Sequence, residues 1–342
     1  MKLSDEGVPP LAFVQLLERR ALDPDAAARL RAIMHREGTS EATLIQHDVQ
    51  APIRWFREVY PELDIAHATR LGLAFAEQAQ LTSFGPLSSP LISAGSVAEI
   101  VDLLTYLPLI STALKSQFHT GDYGLIVGLT AHTGDSALDC LVITYGGSAL
   151  LRLLDMLAGD ISPVTLHLSW PEPTEVSHDK GPGANRRFFD APISFVHVPE
   201  DTLNKACRFS DPLAYRLAIT DLQRTLAHRS GSMSSAEKVR QLLEKDLGQR
   251  TNHDVAQALS MSSSTLKRRL AEEGTTYSKV RHTLLYERAM LRLLDRSVSV
   301  SEIASELGYS DLANFSHAFK RWTGRSPRDF RNPRLSDDPD ST

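Results

Sequence analysis

Apolar residues return at helical spacing in three stretches near the start of the chain, Leu11 to Arg20, Pro24 to Arg36 and Ile65 to Gln80, and predict amphipathic helices. Ser96-Val97-Ala98-Glu99 has the spacing of a capping box, in which hydroxyl and carboxylate satisfy the first free N–H groups of a helix. It predicts an apolar helix running toward Leu114, with Ile100 to Leu104 as core. The pattern then shortens. Gly124 to Thr130 and Leu138 to Tyr145 are β-branched and turn-bounded, so they predict a hairpin closed by Ala131-His132-Thr133-Gly134-Asp135. Pro163 to Trp170 and Ile193 to Val198 predict two more strands, Asp211 to His228 a closing helix, and Gly146-Gly147-Ser148 a turn. The front of the chain therefore reads as an α+β domain.

The stretch Arg229-Ser230-Gly231-Ser232-Met233-Ser234-Ser235 has almost nothing to bury and reads as a linker. Beyond it the pattern is all helix: Ala236–Leu247, His253–Leu259, Ser263–Glu273, Ser278–Asp295, Val300–Leu307, Asp311–Trp322 and Pro327–Arg331. The expected organisation is an α+β domain over 1–229, a linker at 230–235, an all-α domain over 236–331 and a disordered tail at 332–342.

Charge changes the picture. The 342 residues carry a net charge of −5, which argues against nucleic acid until its distribution is read. From Ser235 to Arg334 there are 18 Lys and Arg against 12 Asp and Glu, whereas residues 1–234 hold 19 against 27. A basic C-terminal module behind an acidic body points to a polyanionic partner for the module. No apolar run approaches a membrane span, and Met1 to Glu6 lacks the basic and apolar regions of a secretory signal, so a soluble cytoplasmic protein is expected. Cys140 and Cys207 read as reduced buried thiols. The chain contains no nucleophile elbow, no H-E-x-x-H, no phosphate-binding loop and no dinucleotide fingerprint, and neither cysteine has a C-x-x-C partner. The expectation is no enzyme, no metal and no cofactor.

The helical module repeats itself. Ala256 matches Ala304 and Leu259 matches Leu307 at a separation of 48; Leu266 matches Phe315 and Leu270 matches Phe319 at 49; Gly274 matches Gly324 and Arg281 matches Arg331 at 50. Each copy is a short helix, a tight turn, a second helix and a glycine stop. A small residue in the first helix lets the second cross close to it, and a leucine ends the first helix against a shared core. Gly308 suits a left-handed turn, a position where Ser260 fits less well in the first copy. Ser262 and Ser310 are placed to cap the second helices, and Ser299 with Glu302 makes a capping box. This is helix-turn-helix logic.

The stretch Glu302-Ile303-Ala304-Ser305-Glu306-Leu307-Gly308-Tyr309-Ser310, then Asn314-Phe315-Ser316-His317-Ala318-Phe319-Lys320-Arg321-Trp322-Thr323-Gly324-Arg325-Ser326-Pro327-Arg328-Asp329-Phe330-Arg331, resembles the signature of the AraC/XylS family of bacterial regulators. That resemblance covers about the last hundred residues. Phe84-Gly85-Pro86-Leu87-Ser88-Ser89-Pro90 more weakly resembles the so-called arabinose-binding domain found in one branch of that family, and no feature of the chain singles out a sugar. The resemblance implies two helix-turn-helix units held by the linker helix Ser278–Asp295, a sensing and dimerisation role for residues 1–229, and double-stranded DNA as partner. A small-molecule effector, a second copy of the chain and, for an activator, RNA polymerase are the further partners it implies.

Family positions that face bases fall on Ser264, Lys267 and Arg268 in the first recognition helix and on Leu312, Ala313 and His317 in the second. The family usually carries arginine where His317 stands, so the first unit is expected to carry more of the direct readout. Lys320, Arg321, Arg325 and Arg328 are the expected phosphate contacts, and Trp322 is expected to pack. No residue is assigned to an effector, although His119 and His132 flank the first predicted strand. Two rival readings are a front domain that binds a protein, and a DNA-binding module fused to a methyl-transfer enzyme, which would need an activated cysteine.

Overall fold

The structure is a computed structural model that describes residues 6–18, 22–47, 50–121, 123–174, 176, 183–230, 233–245 and 250–331. The chain folds as two units, residues 1–226 and 227–342. Parts of the expected linker (residues 231–232) and the whole expected tail (332–342) lie outside the described residues.

The first unit opens with β1 (Gly7–Val8), α1 (Pro10–Glu18), α2 (Pro24–Arg36), α3 (Glu41–His47), β2 (Ala51–Pro52), α4 (Arg54–Val59) and α5 (Ile65–Glu77). Asp23 and Asp64 start α2 and α5 by accepting backbone N–H bonds from Ala26 and His67. A 3-10 turn over Leu81–Leu87 follows, kinked where Gly85 takes a φ of 52°. Next come α6 (Ser88–Ser93), α7 (Val97–Asp102) and a second 3-10 turn over Leu103–Leu109. Ser96 does cap α7, but Glu99 turns its carboxylate onto the Gly95 N–H, and the helix stops at Asp102, well short of Leu114. Pro108 removes a donor that a longer helix would need.

A five-stranded sheet then forms in the order β3 (Leu114–Gly121), β4 (Gly124–Ala131), β7 (Phe195–Val198), β5 (Thr165–His167), β6 (Arg187–Phe188), antiparallel except for the β5–β6 pair. Alternate residues Leu125, Val127 and Leu129 of β4, with Val196 and Val198 of β7 and Leu166 of β5, are buried on one face. That face is covered by α8 (Ser136–Ala158); α9 (Glu200–Leu203) and α10 (Pro212–Ser230) close the unit.

The predicted hairpin is therefore corrected. Gly124 to Ala131 pairs backward with Leu114 to Gly121, and Leu138 to Tyr145 is helix. Asp135 sets the switch: its carboxylate accepts the Ala137 and Leu138 N–H groups as N-cap and holds Arg57 at 2.6 Å. Val142, Ile143 and Thr144 read as strand because α8 packs against the sheet on one side and α5 on another, so its apolar pattern has no polar face from which to read a helical period. Although α8 is long and apolar enough to cross a membrane, 67% of its most apolar window is buried within the fold. The expected turn at Gly146-Gly147-Ser148 is also mid-helix. A Cβ on Gly147 would lie 2.6 Å from a Leu166 methyl, so glycine there permits the close seat of α8 on the sheet.

The second unit holds α11 (Ser235–Lys245), α12 (Asn252–Ala258), α13 (Ser263–Glu272), α14 (Tyr277–Leu294), α15 (Val300–Glu306), α16 (Leu312–Thr323) and α17 (Pro327–Arg331). Among the described residues these helices match the predicted ones within two residues at each end; Leu247, where the first was predicted to end, lies outside the described residues.

Candidate nucleic-acid interface

The two copies of the repeat close their turns identically. In the first, Ser260 N–H reaches Gln257 O at 2.9 Å and Met261 N–H reaches Ala256 O at 3.0 Å. In the second, Gly308 and Tyr309 make the same bonds to Ser305 O and Ala304 O, both at 3.0 Å. This closure needs a left-handed residue, and Ser260 and Gly308 take φ values of 55° and 80°. Ala256 and Ala304 are both buried at the helix crossing.

Capping boxes start α12, through Thr251 and Asp254, and α15, through Ser299 and Glu302. Ser262 caps α13, accepting the Thr265 N–H. The cap of α16 is Asp311, not Ser310 as the repeat suggested. Its carboxylate takes the Asn314 N–H at 2.7 Å, and Ser310 supports it from one residue back. A carboxylate at a helix N-terminus also meets the positive end of the helix dipole, which a hydroxyl does not.

Both second helices have one buried stripe. Leu266 and Leu270 anchor α13 in a core shared with Val239, Leu243, Val255 and Leu284. Phe315, Ala318 and Phe319 anchor α16. The opposite faces are open to solvent: Ser264, Lys267 and Arg268 on α13, and Leu312, Ala313 and His317 on α16, are all exposed. Ser264 shares its hydroxyl with the Ser262 cap at 2.9 Å, and Arg268 makes an exposed ion pair with Glu272 at 3.3 Å. Lys320 and Arg321 are exposed near the end of α16. Arg325, past the left-handed Gly324 stop, and Arg328 on α17 are exposed too.

The helix α14 serves both copies. Leu284 belongs to the first core, and α14 packs on α15, α16 and α17 beyond it. Arg240 of α11 reaches Glu287 of α14 at 2.6 Å, where the carboxylate side chain is only 3% exposed. Arg292 joins α14 to Glu306 of α15 at 2.7 Å. Trp322 donates its indole N–H to Nε2 of His282 on α14, a contact that the repeat pattern did not reveal because neither residue has a counterpart in the first copy.

In the front unit His119 lies half-buried on β3, opposite Ile126, while His132 is exposed after β4. Burial pushes the Cys140 thiol up to about 12 and raises that of Cys207, the reverse of an activated nucleophile.

Two capped, core-anchored second helices, each with an open face and carried on one linking helix, define a double helix-turn-helix DNA-binding module. A model described as a helix-turn-helix domain matches residues 255–333. The chain is similar to the HTH-type transcriptional regulator VqsM of Pseudomonas aeruginosa, 25% identical over 76% of this chain and 83% of that one. It is also similar to the dual transcriptional regulator Rns of Escherichia coli, 33% identical over 28% of this chain and 36% of that one. The crystal structure of the regulator CdpR from Pseudomonas aeruginosa aligns over 91% of this chain and 99% of its own, at 22% identity and a TM-score of 0.38. Residues 255–333 are a helix-turn-helix domain, and the chain is a DNA-binding transcriptional regulator.

Proposed function

We propose that this regulator reads two successive major-groove segments on one face of its DNA. Lys267 and Arg268, with Ser264, carry most of the base discrimination; Leu312, Ala313 and His317 add methyl packing and a weaker polar contact. Lys320, Arg321, Arg325 and Arg328 neutralise phosphates and set the register. The observation that carries this reading is the two-sided character of α13 and α16: the apolar side of each is consumed by its own core, and the ten side chains named are all solvent-exposed. Four phosphate contacts per module correspond to a slope of about −4 in log affinity against log salt.

The front domain senses a small molecule and supports a homodimer that acts in the cytoplasm, touching RNA polymerase where it activates. A second reading, in which that domain docks a protein, is favoured by Phe209, Leu213 and Leu217, three large apolar side chains exposed near the start of α10.

The test is genomic DNA captured by the purified full-length chain at several salt concentrations and sequenced. The expected result is a recurrent motif of two half-elements about one helical turn apart, bound with a steep salt dependence. Weak binding with no recurring motif would overturn the reading. A melting shift with small metabolites separates the sensor from the protein-docking alternative.

A further inference from the structure

Trp322 lies five residues beyond His317 on α16, and its ring meets α14 through two edge-on contacts, with His282 at 4.8 Å and Tyr286 at 6.1 Å between centroids. Tyr309 and Phe319 touch it from the second unit itself. Apolar edge contacts leave a helix some freedom to roll. A hydrogen bond to one acceptor atom does not, because it demands both a distance and a direction. The indole N–H is donor only, and Nε2 of His282 can accept it only when that nitrogen carries no proton. Burial, then the guanidinium groups of Arg321 on α16 and Arg281 on α14, hold His282 below its ordinary range for protonation and so keep it an acceptor.

We propose that His282 is a positioning residue for the second recognition helix: by accepting the Trp322 indole N–H it fixes the roll of α16 about α14. It thereby sets the phase between the face bearing Leu312, Ala313 and His317 and the reader on α13. The inference rests on the double-reader function proposed above and adds a specificity determinant that touches no DNA. Two readers in fixed phase tolerate one separation of half-elements; a reader free to roll accepts several.

The experiment uses the full-length chain and three variants. His282→Gln keeps an acceptor oxygen, His282→Leu removes the acceptor, and Trp322→Phe removes the donor. Each is measured on the genomic motif and on copies whose half-elements are moved one base pair closer or further apart. The native chain and His282→Gln should favour the natural spacing by roughly tenfold, and His282→Leu and Trp322→Phe by no more than about threefold. Thermal melting of the four proteins should agree closely. Hydrogen exchange at the Trp322 indole should be slow in the native chain and His282→Gln and fast in His282→Leu.

Unchanged spacing preference in His282→Leu, or a uniform loss of affinity that tracks a lower melting temperature, overturns the proposal. A native chain that prefers no DNA motif at all sinks the double-reader function instead, and this inference falls with it. Fast indole exchange in the native chain rejects the His282 contact whatever the DNA result.

Discussion

The two helix-turn-helix units share a backbone and differ in almost everything hung on it. The first is built from aliphatic residues around Leu266 and Leu270, turns through a left-handed serine and caps α13 with a hydroxyl. Around Phe315, Phe319 and Phe330 the second packs tilted and edge-on aromatic rings, turns through glycine and caps α16 with a carboxylate. Their surfaces run the other way. The first presents Lys267 and Arg268, whereas the second presents Leu312, Ala313 and His317. The unit with the aromatic core thus carries the less charged exposed face. The difference teaches that the repeat preserves turn geometry while leaving core composition and surface charge free to differ between copies.

The largest expected effect tests the division of stability. Phe315→Ala should cost about 3–5 kcal/mol, and Leu266→Ala about 2–5. Denaturant titration of both variants checks it, and a smaller loss at Phe315 than at Leu266 would erase the asymmetry of cores. The division of readout comes next. Arg268→Ala should lose about 1–3 kcal/mol of discrimination at one base position, while His317→Ala should lose clearly less on the same DNA panel. Equal losses would mean that the two faces read alike.

A smaller asymmetry belongs to the caps. Ser262→Ala should destabilise by about 0.5–2 kcal/mol, and Asp311→Ala by more, because its cap also sets a negative charge at the positive end of the helix. The gap between them should narrow as the pH falls, since the bond to Asn314 N–H lowers the carboxyl of Asp311 from its ordinary range. A group depressed in the folded state gives stability that is present above its unfolded value near 3.8 and is lost as pH falls through the folded one. Melting curves at neutral and acid pH read this out. The smallest effect is at the turns: Ser260→Gly should stabilise by about 1 kcal/mol. A destabilised Ser260→Gly protein would show that the left-handed serine is not strained.

The sequence disclosed the helical unit far better than the sheet unit, and the reason is physical. Apart from α14, which packs on both copies, the helices α11 to α17 each bury a single stripe and expose much of the rest, so their period survives in the residue pattern. Asp311 escaped notice because the repeat aligned Ser310 with Ser262, and an insertion of one residue between Leu307 and Phe315 moved the cap. In the front unit α8 is covered on several sides, which erased its period and let Leu138 to Tyr145 pass for a strand. The strand that does pair with β4, Leu114 to Gly121, carries the half-buried Lys115, Gln117 and His119 on one face and lies at the sheet edge, where a pattern of half-buried polar residues gives little signal. The open faces of α13 and α16 were legible residue by residue, while the His282–Trp322 contact depends on a crossing of helices that no local pattern encodes.

The buried carboxylate of Glu287 decides where this gene can be cut. The matched helix-turn-helix segment starts at residue 255, yet a fragment begun there would take Arg240 away from the buried Glu287 carboxylate, and breaking a buried ion pair costs about 3–5 kcal/mol. Glu273, which receives the Ser235 and Ala236 N–H groups, would lose its partners in the same cut. The smallest piece able to stand alone therefore begins before Ser235, some twenty residues ahead of the recognisable motif, and a shorter one should be recovered as insoluble protein.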